Sequence, residues 1–428
     1  MKDWIECSLG EVCFTTSGGT PSRNNKSFYE GKIPWIKSGE LNSNLILDSE
    51  EHISEEAIKK SSAKVFPKGT LLFALYGATI GKMATLGIDA ATNQAVCGIY
   101  ESDALVSKYI YNYLFYRKNF LIQQGIGGAQ PNISQTILKK LSVPLAPLVE
   151  QKAIVKKIEE LFSSLDSGIA DLKKAQEQLV IYRQAVLKKA FEGEYSAKEF
   201  EMLPINSLCE VVRGGSPRPA GDEKYYNGEI PFMKVRDISR NKGAYIHSAE
   251  YSIKEAGLSR TRLVESDTLL LTNSGATLGI PAITKIATTF NDGIAAFLNL
   301  DDNLLYHYYY WISKTAYLRN LDQGAAQPNL NTSIIGNMEI PIYFDNNEHL
   351  KIVREIESRL SVCDKVEESL KESLEKAKAL RQSILKKAFE GKLLSAEELA
   401  KCKADQDYEP ASVLLEKIKK EKKKNCFG

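Results

Sequence analysis

The chain has 428 residues, which exceeds one ordinary domain of about 100–200 residues, so two or three domains are expected. Its hydrophobic fraction of 43% and charged fraction of 26% are typical of a globular protein, and no apolar run reaches the roughly 18 residues of a membrane-spanning helix. The net charge of +2 does not indicate a uniformly basic protein, so a nucleic-acid contact must use locally clustered charge. With an acid at position 3 and no apolar segment after it, the N-terminal stretch predicts no secretory signal and a cytoplasmic location.

The cysteines and histidines are few and scattered. No Cys-x-x-Cys pair occurs, and no histidine stands at ligand spacing from a cysteine or from another histidine. We therefore expect reduced thiols and no structural metal. The residues are Cys7, Cys13, Cys97, Cys209, Cys363, Cys402 and Cys426, with His52, His247, His307 and His349.

An internal repeat covers most of the chain. Gly18 recurs as Gly214, 196 residues later, and Gly77 recurs as Gly275, 198 residues later. Such self-similarity indicates two copies of one structural unit. The repeated segments are Gly18-Gly-Thr-Pro21 and Gly214-Gly-Ser-Pro217, Gly77-Ala-Thr-Ile-Gly81 and Gly275-Ala-Thr-Leu-Gly279, Ala129-Gln-Pro-Asn132 and Ala326-Gln-Pro-Asn329, and the eleven-residue stretches that end at Gly193 and Gly391.

Each copy begins with a globular part and ends with a long helix. Residues 1–148 and 203–345 mix Gly, Pro and Asn with short β-rich runs, which predicts two α/β domains. Residues 149–195 and 346–392 lack proline and repeat apolar residues at intervals of three and four, the pattern of a coiled-coil seam. Gly193 and Gly391 then stand where a helix C-cap favours glycine, and residues 393–428 form a basic helical tail.

Connectivity predicts how the two helices pack. A helix of about 40 residues is about 60 Å long, whereas the domain between the helices has an expected radius of gyration of roughly 15 Å. The second helix must therefore start near the end of the first. The predicted fold is a multidomain α+β chain, in which two α/β domains are separated by two long antiparallel coiled-coil helices with pseudo-two-fold symmetry.

Catalytic motifs are not found. The segment Gly77-Ala-Thr-Ile-Gly-Lys82 has one residue too few between its glycines for a phosphate-binding loop, and Met83 stands where Ser or Thr would be needed. Gly125 and Gly127 lack the third glycine of a dinucleotide-binding motif. The signatures of amino-methyltransferases, nucleases and α/β-hydrolases are also absent, so we expect a non-catalytic chain.

These motifs and their order resemble the specificity (S) subunits of type I restriction-modification systems, and the resemblance covers nearly the whole chain. The second copy departs from the pattern by carrying Phe344, Glu348 and His349 where the first has Pro147, Glu150 and Gln151. The segments that carry the resemblance are Ser17-Gly-Gly-Thr-Pro-Ser22, Gly77-Ala-Thr-Ile-Gly-Lys82, Gln130-Pro-Asn-Ile-Ser134, residues 143–154, residues 187–193 and residues 409–418.

The resemblance implies that each α/β domain is a target-recognition domain. Each domain would read one half of a bipartite site in double-stranded DNA, and the helices would set the gap between the halves. It also implies docking of modification (methyltransferase) subunits, two of them expected, which would carry S-adenosylmethionine and methylate adenine, while restriction subunits would bind the resulting complex. No cofactor is expected in this chain.

Candidate DNA-binding residues lie in the loops of both copies. Arg and Lys suit phosphates and guanine edges, and side chains that vary within a shared loop pattern suit base reading. The set is Arg23, Lys37, Ser38, Tyr76, Thr79 and Lys82 in the first copy, and Arg213, Arg218, Lys234, Arg236, Asn273, Ser274 and Thr277 in the second.

Structural roles compete with these assignments. The basic residues could be solvated loop charges, and the shared Gly-Ala-Thr segments could form the fold. For Asn93-Gln94 and Asn291-Asp292 we favour a turn role, for the Gln-Pro-Asn segments a cap or buttress, and for the lysines between Lys417 and Lys424 a solubilising role. Two rival functions stay open, a coiled-coil scaffold with two ligand-binding domains and a stand-alone nuclease or methyltransferase.

Overall fold

The computed structural model describes residues 3–100, 102, 105–125, 132–321 and 330–425. The chain divides into two units. Unit 1 consists of Met1–Asp171 together with Ser373–Gly428, and unit 2 consists of Leu172–Glu372. Each unit therefore contains one globular part and segments of both long helices.

The elements of the first copy run from β1 to α5. They are β1 (Ile5–Ser8), α1 (Leu9–Val12), β2 (Thr15–Ser17), β3 (Ile33–Ile36), β4 (Leu45–Ile46), β5 (His52–Ile53), α2 (Glu55–Lys59), β6 (Val65–Phe66), β7 (Leu71–Ala74), β8 (Met83–Leu86), β9 (Ala90–Thr92), β10 (Val96–Ile99), α3 (Ser107–Gln124), α4 (Gln135–Lys139), β11 (Ser142–Leu145) and α5 (Leu148–Phe191).

The second copy repeats the order of the strands and is followed by the tail. Its elements are β12 (Glu201–Pro204), β13 (Glu210–Arg213), β14 (Tyr226–Met233), α6 (Val235–Arg240), β15 (Tyr245–Ile246), β16 (Tyr251–Ile253), β17 (Leu263–Val264), β18 (Thr268–Thr272), β19 (Pro281–Thr284), β20 (Thr288–Phe290), β21 (Ile294–Leu298), α7 (Leu304–Asn320), α8 (Thr332–Gly336), β22 (Glu339–Ile342), α9 (Asn346–Phe389), α10 (Ala396–Lys403) and α11 (Ala411–Asn425). Short 3-10 helices occur at Lys26–Tyr29, Ser38–Glu40, Ile205–Ser207 and Glu255–Arg260.

The sheets of the two units have the same topology. In unit 1 the strand orders are β2-β10-β7-β8-β4, β5-β3-β9-β6 and β1-β11. In unit 2 they are β13-β21-β18-β19-β15, β16-β14-β20-β17 and β12-β22. The parallel pairs also correspond, β4–β8 and β3–β9 in unit 1 with β15–β19 and β14–β20 in unit 2. The sequence repeat is thus a repeat of fold, and the mixed sheets with their helices confirm the predicted α/β domains.

The long helices pack within the core of each unit. In unit 1, Ile154 and Ile158 of α5 and Leu385 and Ala388 of α9 are buried in one cluster with Tyr109 of α3. In unit 2, Leu187 and Ala190 of α5 share a cluster with Ile352 and Ile356 of α9 and with Trp311 of α7. The apolar positions of the predicted seam are therefore buried at the helix ends, against α3 and α7.

Contacts between the helices show that they run antiparallel in both units. In unit 1, Asp166 of α5 forms an ion pair with Arg381 of α9, and Ile154 and Ile158, earlier in α5, are buried in one cluster with Leu385 and Ala388, later in α9. In unit 2, Arg183 forms an ion pair with Asp364 at 2.6 Å. The repeat offset of 198 converts Asp166 into Asp364 and Arg183 into Arg381, so the two units use the same pair with the helices exchanged. The predicted antiparallel packing is confirmed.

A glycine in the left-handed conformation stands two residues after the end of each long helix. Gly193 has φ +88° and Gly391 has φ +66°, a region that costs little only for glycine. In the described part of the chain, no helix is long and apolar enough to cross a membrane.

Candidate nucleic-acid interface

In unit 1, four loops meet beyond the ends of β2, β3, β7 and β9. The backbone N–H of Gly19 donates to Thr92 O at 2.9 Å, that of Asn93 to Ile36 O at 3.0 Å, and that of Leu75 to Ala95 O at 2.8 Å. These bonds join the Gly-Gly loop to the segments that follow β3, β7 and β9. The four loops therefore form one continuous surface, which we call the loop frame.

The same loop frame recurs in unit 2. Here Gly215 N donates to Phe290 O at 3.1 Å, Asn291 N to Met233 O at 3.0 Å, and Asn273 N to Gly293 O at 2.9 Å. Each bond corresponds to one in unit 1. The repeated sequence motifs therefore build the backbone of this surface.

The paired glycines of the frame are required by close packing. A Cβ on Gly18 would lie 2.1 Å from Thr92 Oγ1, and one on Gly19 would lie 2.4 Å from Ser62. A Cβ on Gly215 would lie 2.2 Å from the carbonyl oxygen of Arg260. Any other residue at these positions would push the loops apart, so the glycines are structural.

The predicted turn role of Asn93-Gln94 and Asn291-Asp292 agrees with their contacts. Gln94 accepts a hydrogen bond from the hydroxyl of Thr20, and Asp292 accepts one from Ser216 at 2.6 Å. Each side chain thus holds the Gly-Gly loop of its own unit in place.

In unit 1, Arg23 and Lys37 are both held by the carboxylate of Glu51. Arg23 Nη1 lies 2.6 Å from Glu51 Oε2, and Lys37 Nζ lies 3.0 Å from Glu51 Oε1 and 2.9 Å from Glu50 Oε2. The hydrogen bond from Arg23 lowers the pKa of Glu51, and the bonds to Glu50 and Glu51 raise the pKa of Lys37. Arg23 also packs over the Tyr29 ring, 4.2 Å from its centroid. Both candidate cations are therefore partly neutralised.

In unit 2, Lys234 occupies the position of Lys37 but has a different partner. Its Nζ lies 3.3 Å from the centroid of the Tyr251 ring, and among the described residues it has no ion pair. The backbone is held as in unit 1, because Asp237 accepts from Lys234 N at 2.7 Å as Glu40 accepts from Lys37 N at 2.8 Å. Lys234 is therefore a cation without a neutralising acid on the same backbone frame.

The other unit 1 candidates lie along the frame. Tyr76 is half-buried, burial raises the pKa of its phenol, and its backbone pairs with Asn132 in an isolated bridge. Lys82 Nζ donates to Asn42 Oδ1 at 2.6 Å, which links the segment after β7 to the segment after β3. Ser38 and Thr79 are partly exposed. Ser38 begins the 3-10 helix Ser38–Glu40, and Thr79 lies in the turn between β7 and β8.

The unit 2 candidates differ in exposure. Arg218 and Arg236 are exposed, and Arg213, also exposed, donates from Nε to the carbonyl oxygen of Asp292 at 2.6 Å. Ser274 is half-buried, and a Cβ on Gly293 would lie 2.9 Å from its hydroxyl oxygen. Thr277 accepts at its carbonyl oxygen from the hydroxyl of Thr272 at 2.6 Å.

Asn273 was expected to be available for contact with DNA, but it is fully buried, at 0% exposure. Within the described ranges, neither its Oδ1 nor its Nδ2 has a hydrogen-bond partner. Its equivalent in unit 1 is Leu75, which is buried at 4%. An amide therefore replaces an apolar side chain at one position of the shared frame.

Residues 1–176 match the family model of the type I restriction modification DNA specificity domain, and residues 197–376 match it a second time. The chain belongs to this family. It is a specificity subunit, the DNA-recognition component of a type I restriction-modification system.

Relatives agree with this assignment, and a solved structure shares the fold. The chain is 28% identical to the type I restriction enzyme MjaIX specificity subunit of Methanocaldococcus jannaschii, over 73% of this chain and 75% of that protein. It is 23% identical to the type I restriction enzyme EcoKI specificity subunit of Escherichia coli strain K12, over 98% of this chain and 96% of that protein. The crystal structure of the HsdS subunit from Thermoanaerobacter tengcongensis shares the fold with a TM-score of 0.61 at 20% identity, covering 91% of this chain and 97% of that one.

Sequence reasoning did not single out every residue of the candidate interface. Glu51 and Tyr251 each stand two residues before an equivalent isoleucine, Ile53 and Ile253, which pairs with β3 or β14. Aligning the two copies through these isoleucines would have shown that an acid in one copy is an aromatic residue in the other. Arg260 was also missed, although it corresponds to Ser62 beside the Gly-Gly loop.

Two predicted features of the specificity subunit lie partly or wholly outside the described residues. Of the Gln-Pro-Asn segments, Gln130, Pro131 and residues 327–329 fall outside them, as do the side chains of the lysines at 422–424. Lys417 and Lys419 are described, and they pair with Glu409 and, at 3.8 Å, with Glu11. Among the described residues, no group of His, Cys, Asp and Glu side chains could hold a metal ion.

Proposed function

We propose that the specificity subunit reads a bipartite site in double-stranded DNA, with the domain at 1–148 reading one half and the domain at 203–345 the other. One observation carries this proposal. The two domains share a loop frame bond for bond, yet equivalent positions carry Leu75 and Asn273, or Glu51 and Tyr251. A shared backbone with different polar side chains suits two readers of the same kind that recognise different bases.

Modification and restriction subunits are the proposed partners, and the modification subunits would supply S-adenosylmethionine and methylate adenine. The family relationship supports these partners, and the sequence, in which no catalytic motif was found, favours a non-catalytic role for this chain. Exposed apolar side chains on the long helices favour docking there, because such side chains in a cluster mark interaction surfaces. In unit 2 they include Val180 and Ile181 of α5, exposed at 57% and 65%, and Val362 and Val366 of α9, exposed at 57% and 42%. We propose that the complex acts in the cytoplasm, where its DNA substrate lies.

The experiment that tests the proposal is single-molecule methylome sequencing. The chain is co-expressed with its modification subunit in a host without modification genes of its own. We expect a bipartite motif with one methylated adenine in each half. A soluble complex that produced only unsplit motifs, or no methylation, would contradict the proposal.

A domain exchange tests which part reads which half. Replacing residues 203–345 by the equivalent domain of another specificity subunit should change one half-site and leave the other intact. Replacing residues 1–148 is the matched control and should change the opposite half. If either exchange altered both halves, the assignment of one reader to each half would be wrong.

Helix length tests the proposed origin of the gap. A heptad inserted at equivalent positions of α5 and α9 adds about 10 Å at 1.5 Å per residue, which corresponds to about three base pairs at 3.4 Å each. We expect the methylated motif to keep both halves and to gain a wider gap. An unchanged gap in a folded, active complex would show that the helices do not set it.

Docking is tested by replacing Val362 and Val366 together with aspartate. We expect loss of co-purification with the modification subunit, because two charges would replace exposed apolar contacts. Lys371→Asp, at an exposed polar position of the same helix, is the matched control and should leave the complex intact. Undiminished co-purification of the valine variant would place the docking surface elsewhere.

A further inference from the structure

The two loop frames differ in charge, and at four equivalent positions the additional cation lies in unit 2. The reverse holds at Arg23, which corresponds to Pro219, and at Lys82, which corresponds to Ile280. At each of the four positions unit 2 carries arginine, whereas unit 1 carries a small neutral residue. The pairs are Arg213 and Ser17, Arg218 and Ser22, Arg236 and Gly39, and Arg260 and Ser62, separated by 196, 196, 197 and 198 residues. We call Arg213, Arg218, Arg236 and Arg260 the arginine patch.

Backbone packing brings the segments of the arginine patch together. Arg213 donates to the carbonyl oxygen of Asp292 at 2.6 Å. A Cβ on Gly215 would touch the carbonyl oxygen of Arg260, and a Cβ on Gly293 would lie 2.6 Å from Val235, the neighbour of Arg236. Three segments thus converge on residues 290–293, and the loop that holds Arg218 begins at Gly215.

The charges of the arginine patch are not neutralised within unit 2. All four arginines are exposed, and in the part of the chain that the structure describes none forms an ion pair. Two nearby acids are instead engaged by neutral donors. Asp292 accepts from the Ser216 hydroxyl at 2.6 Å, and Asp237 accepts from the backbone N–H of Lys234 at 2.7 Å and of Glu250 at 3.1 Å.

Unit 1 has the opposite arrangement on the same frame. Two of its three basic candidates, Arg23 and Lys37, are in ion pairs with Glu51, and Lys37 also pairs with Glu50. Lys82, the other basic candidate, donates to the Asn42 amide oxygen. A phosphate would have to compete with Glu50 and Glu51 for Arg23 and Lys37, but it would meet no such competitor at the arginine patch.

We propose that the arginine patch binds backbone phosphates and that unit 2 therefore supplies the larger share of the salt-dependent affinity for DNA. The inference rests on the proposed function and goes beyond it, because it assigns unequal roles to two domains of the same fold. The guanidinium group suits phosphate since it donates two parallel hydrogen bonds and stays charged at any physiological pH. Each phosphate neutralised in duplex DNA releases counterions, so the affinity falls as salt rises. In a plot of log affinity against log salt concentration, each such contact adds about 0.9 to the magnitude of the negative slope, and this magnitude is called the slope below.

The test measures that slope for the full chain in complex with its modification subunits, with a mixed-sequence DNA duplex as the probe. The main variant combines Arg213→Ser, Arg218→Ser and Arg260→Ser, which places the unit 1 residues on the unit 2 frame. We expect the slope to fall by about 2.7, or about 0.9 for each lost phosphate contact. Lys254→Gln is the matched control and should leave the slope unchanged. Lys254 is exposed and lies just after β16, beside the residue that precedes β14.

A misfolded variant could also show a smaller salt slope, so a reciprocal variant that should raise the slope is needed. Ser17→Arg, Ser22→Arg and Ser62→Arg together transfer three patch positions to unit 1 and should raise the slope. Arg23→Gln with Lys37→Gln in unit 1 should lower it by less than the unit 2 variant does.

Two outcomes would overturn the inference. One is an unchanged slope in a folded complex of the triple serine variant. The other is an equal or larger loss from the Arg23 and Lys37 variant. A wild-type complex that failed to bind the duplex would instead refute the proposed function, so the two failures are distinguishable.

Discussion

Asp302 accepts hydrogen bonds from two buried histidines in unit 2. Its Oδ1 lies 2.7 Å from His349 Nδ1 and its Oδ2 lies 2.9 Å from His307 Nε2, with both histidine side chains 1% exposed. His349 accepts from the backbone N–H of Tyr343 at its Nε2, at 3.2 Å, so the proton of this ring is on Nδ1 and points to the carboxylate. Replacing Asp302 by alanine removes the acceptor for both rings.

The expected loss follows from the number of groups left without a partner. A buried donor or acceptor that loses its partner costs about 1–3 kcal/mol, so two imidazole nitrogens cost about 2–6 kcal/mol of the free energy of unfolding. Asp302→Asn should lower the free energy of unfolding by less. The amide oxygen of asparagine can still accept from His349 Nδ1, and its NH₂ group can donate to Nε2 of His307 when the proton of that ring is on Nδ1. We therefore expect the order wild type, Asn, Ala for the stability of unit 2.

The pH dependence has a defined sign. Burial alone would raise the pKa of the Asp302 carboxyl, but the hydrogen bonds from His307 and His349 outweigh it and hold the pKa well below its ordinary value. A carboxylate with a lowered folded-state pKa stabilises the fold in full above its unfolded-state pKa of about 3.9. The stability difference between wild type and Asp302→Asn should therefore be constant above about pH 5 and narrow as pH falls through about 4 and below.

Urea unfolding followed by tryptophan fluorescence measures these differences. Of the tryptophans Trp4, Trp35 and Trp311, only Trp311 belongs to unit 2, so a Trp4→Phe and Trp35→Phe background reports this unit alone. Asp301→Asn, at the exposed neighbouring residue, is the control and should be neutral. A loss below about 1 kcal/mol for Asp302→Ala would refute the reasoning, because one unsatisfied buried group alone costs that much.

Three further predictions concern unit 1. Phe389→Ala should lower the free energy of unfolding of unit 1 by about 3–5 kcal/mol, because the ring packs against three tyrosine rings of α3. Urea unfolding measures this loss, and Phe389→Leu should give a smaller one. A double-mutant cycle of Asp166→Ala and Arg381→Ala should give a coupling of only about 0.2–1 kcal/mol, since the carboxylate is 60% exposed; a coupling of several kcal/mol would contradict this solvent screening. Glu51→Gln should release Arg23, while Lys37 keeps its ion pair with Glu50. The magnitude of the salt slope of DNA binding should then rise by up to about 0.9 for one new phosphate contact, whereas an unchanged or smaller magnitude would show that Arg23 does not reach DNA.

The repeat, the long helices and their antiparallel packing were predictable because each leaves a local or periodic mark on the sequence. A seam of apolar residues at intervals of three and four indicates a helix wherever it occurs. Gly193 and Gly391 marked the helix ends for the same reason, since only glycine adopts their left-handed conformation cheaply. The connection between the helices then limited how they could pack.

The charge state of the interface was not predictable from local pattern. Lys37 and Lys234 follow equivalent strands, but their partners Glu51 and Tyr251 come from the next strand of the sheet, 14 and 17 residues further along. Which side chain meets which depends on the pairing of β3 with β5 and of β14 with β16. The assignment of the individual DNA-contacting residues therefore stays a prediction.

The loop frame separates the backbone from the side chains that it presents. Leu75 and Asn273 make the same backbone bonds, donating to Ala95 at 2.8 Å and to Gly293 at 2.9 Å, although one side chain is apolar and the other is an amide. A buried amide without a partner costs about 1–3 kcal/mol, so stability alone would favour leucine at both positions. Because the backbone bonds do not depend on the side chain, the frame can accept such a residue without being rebuilt. The same independence allows serine to be exchanged for arginine around the Gly-Gly loops, and the proposed reading of two different half-sites by two copies of one fold requires such exchanges.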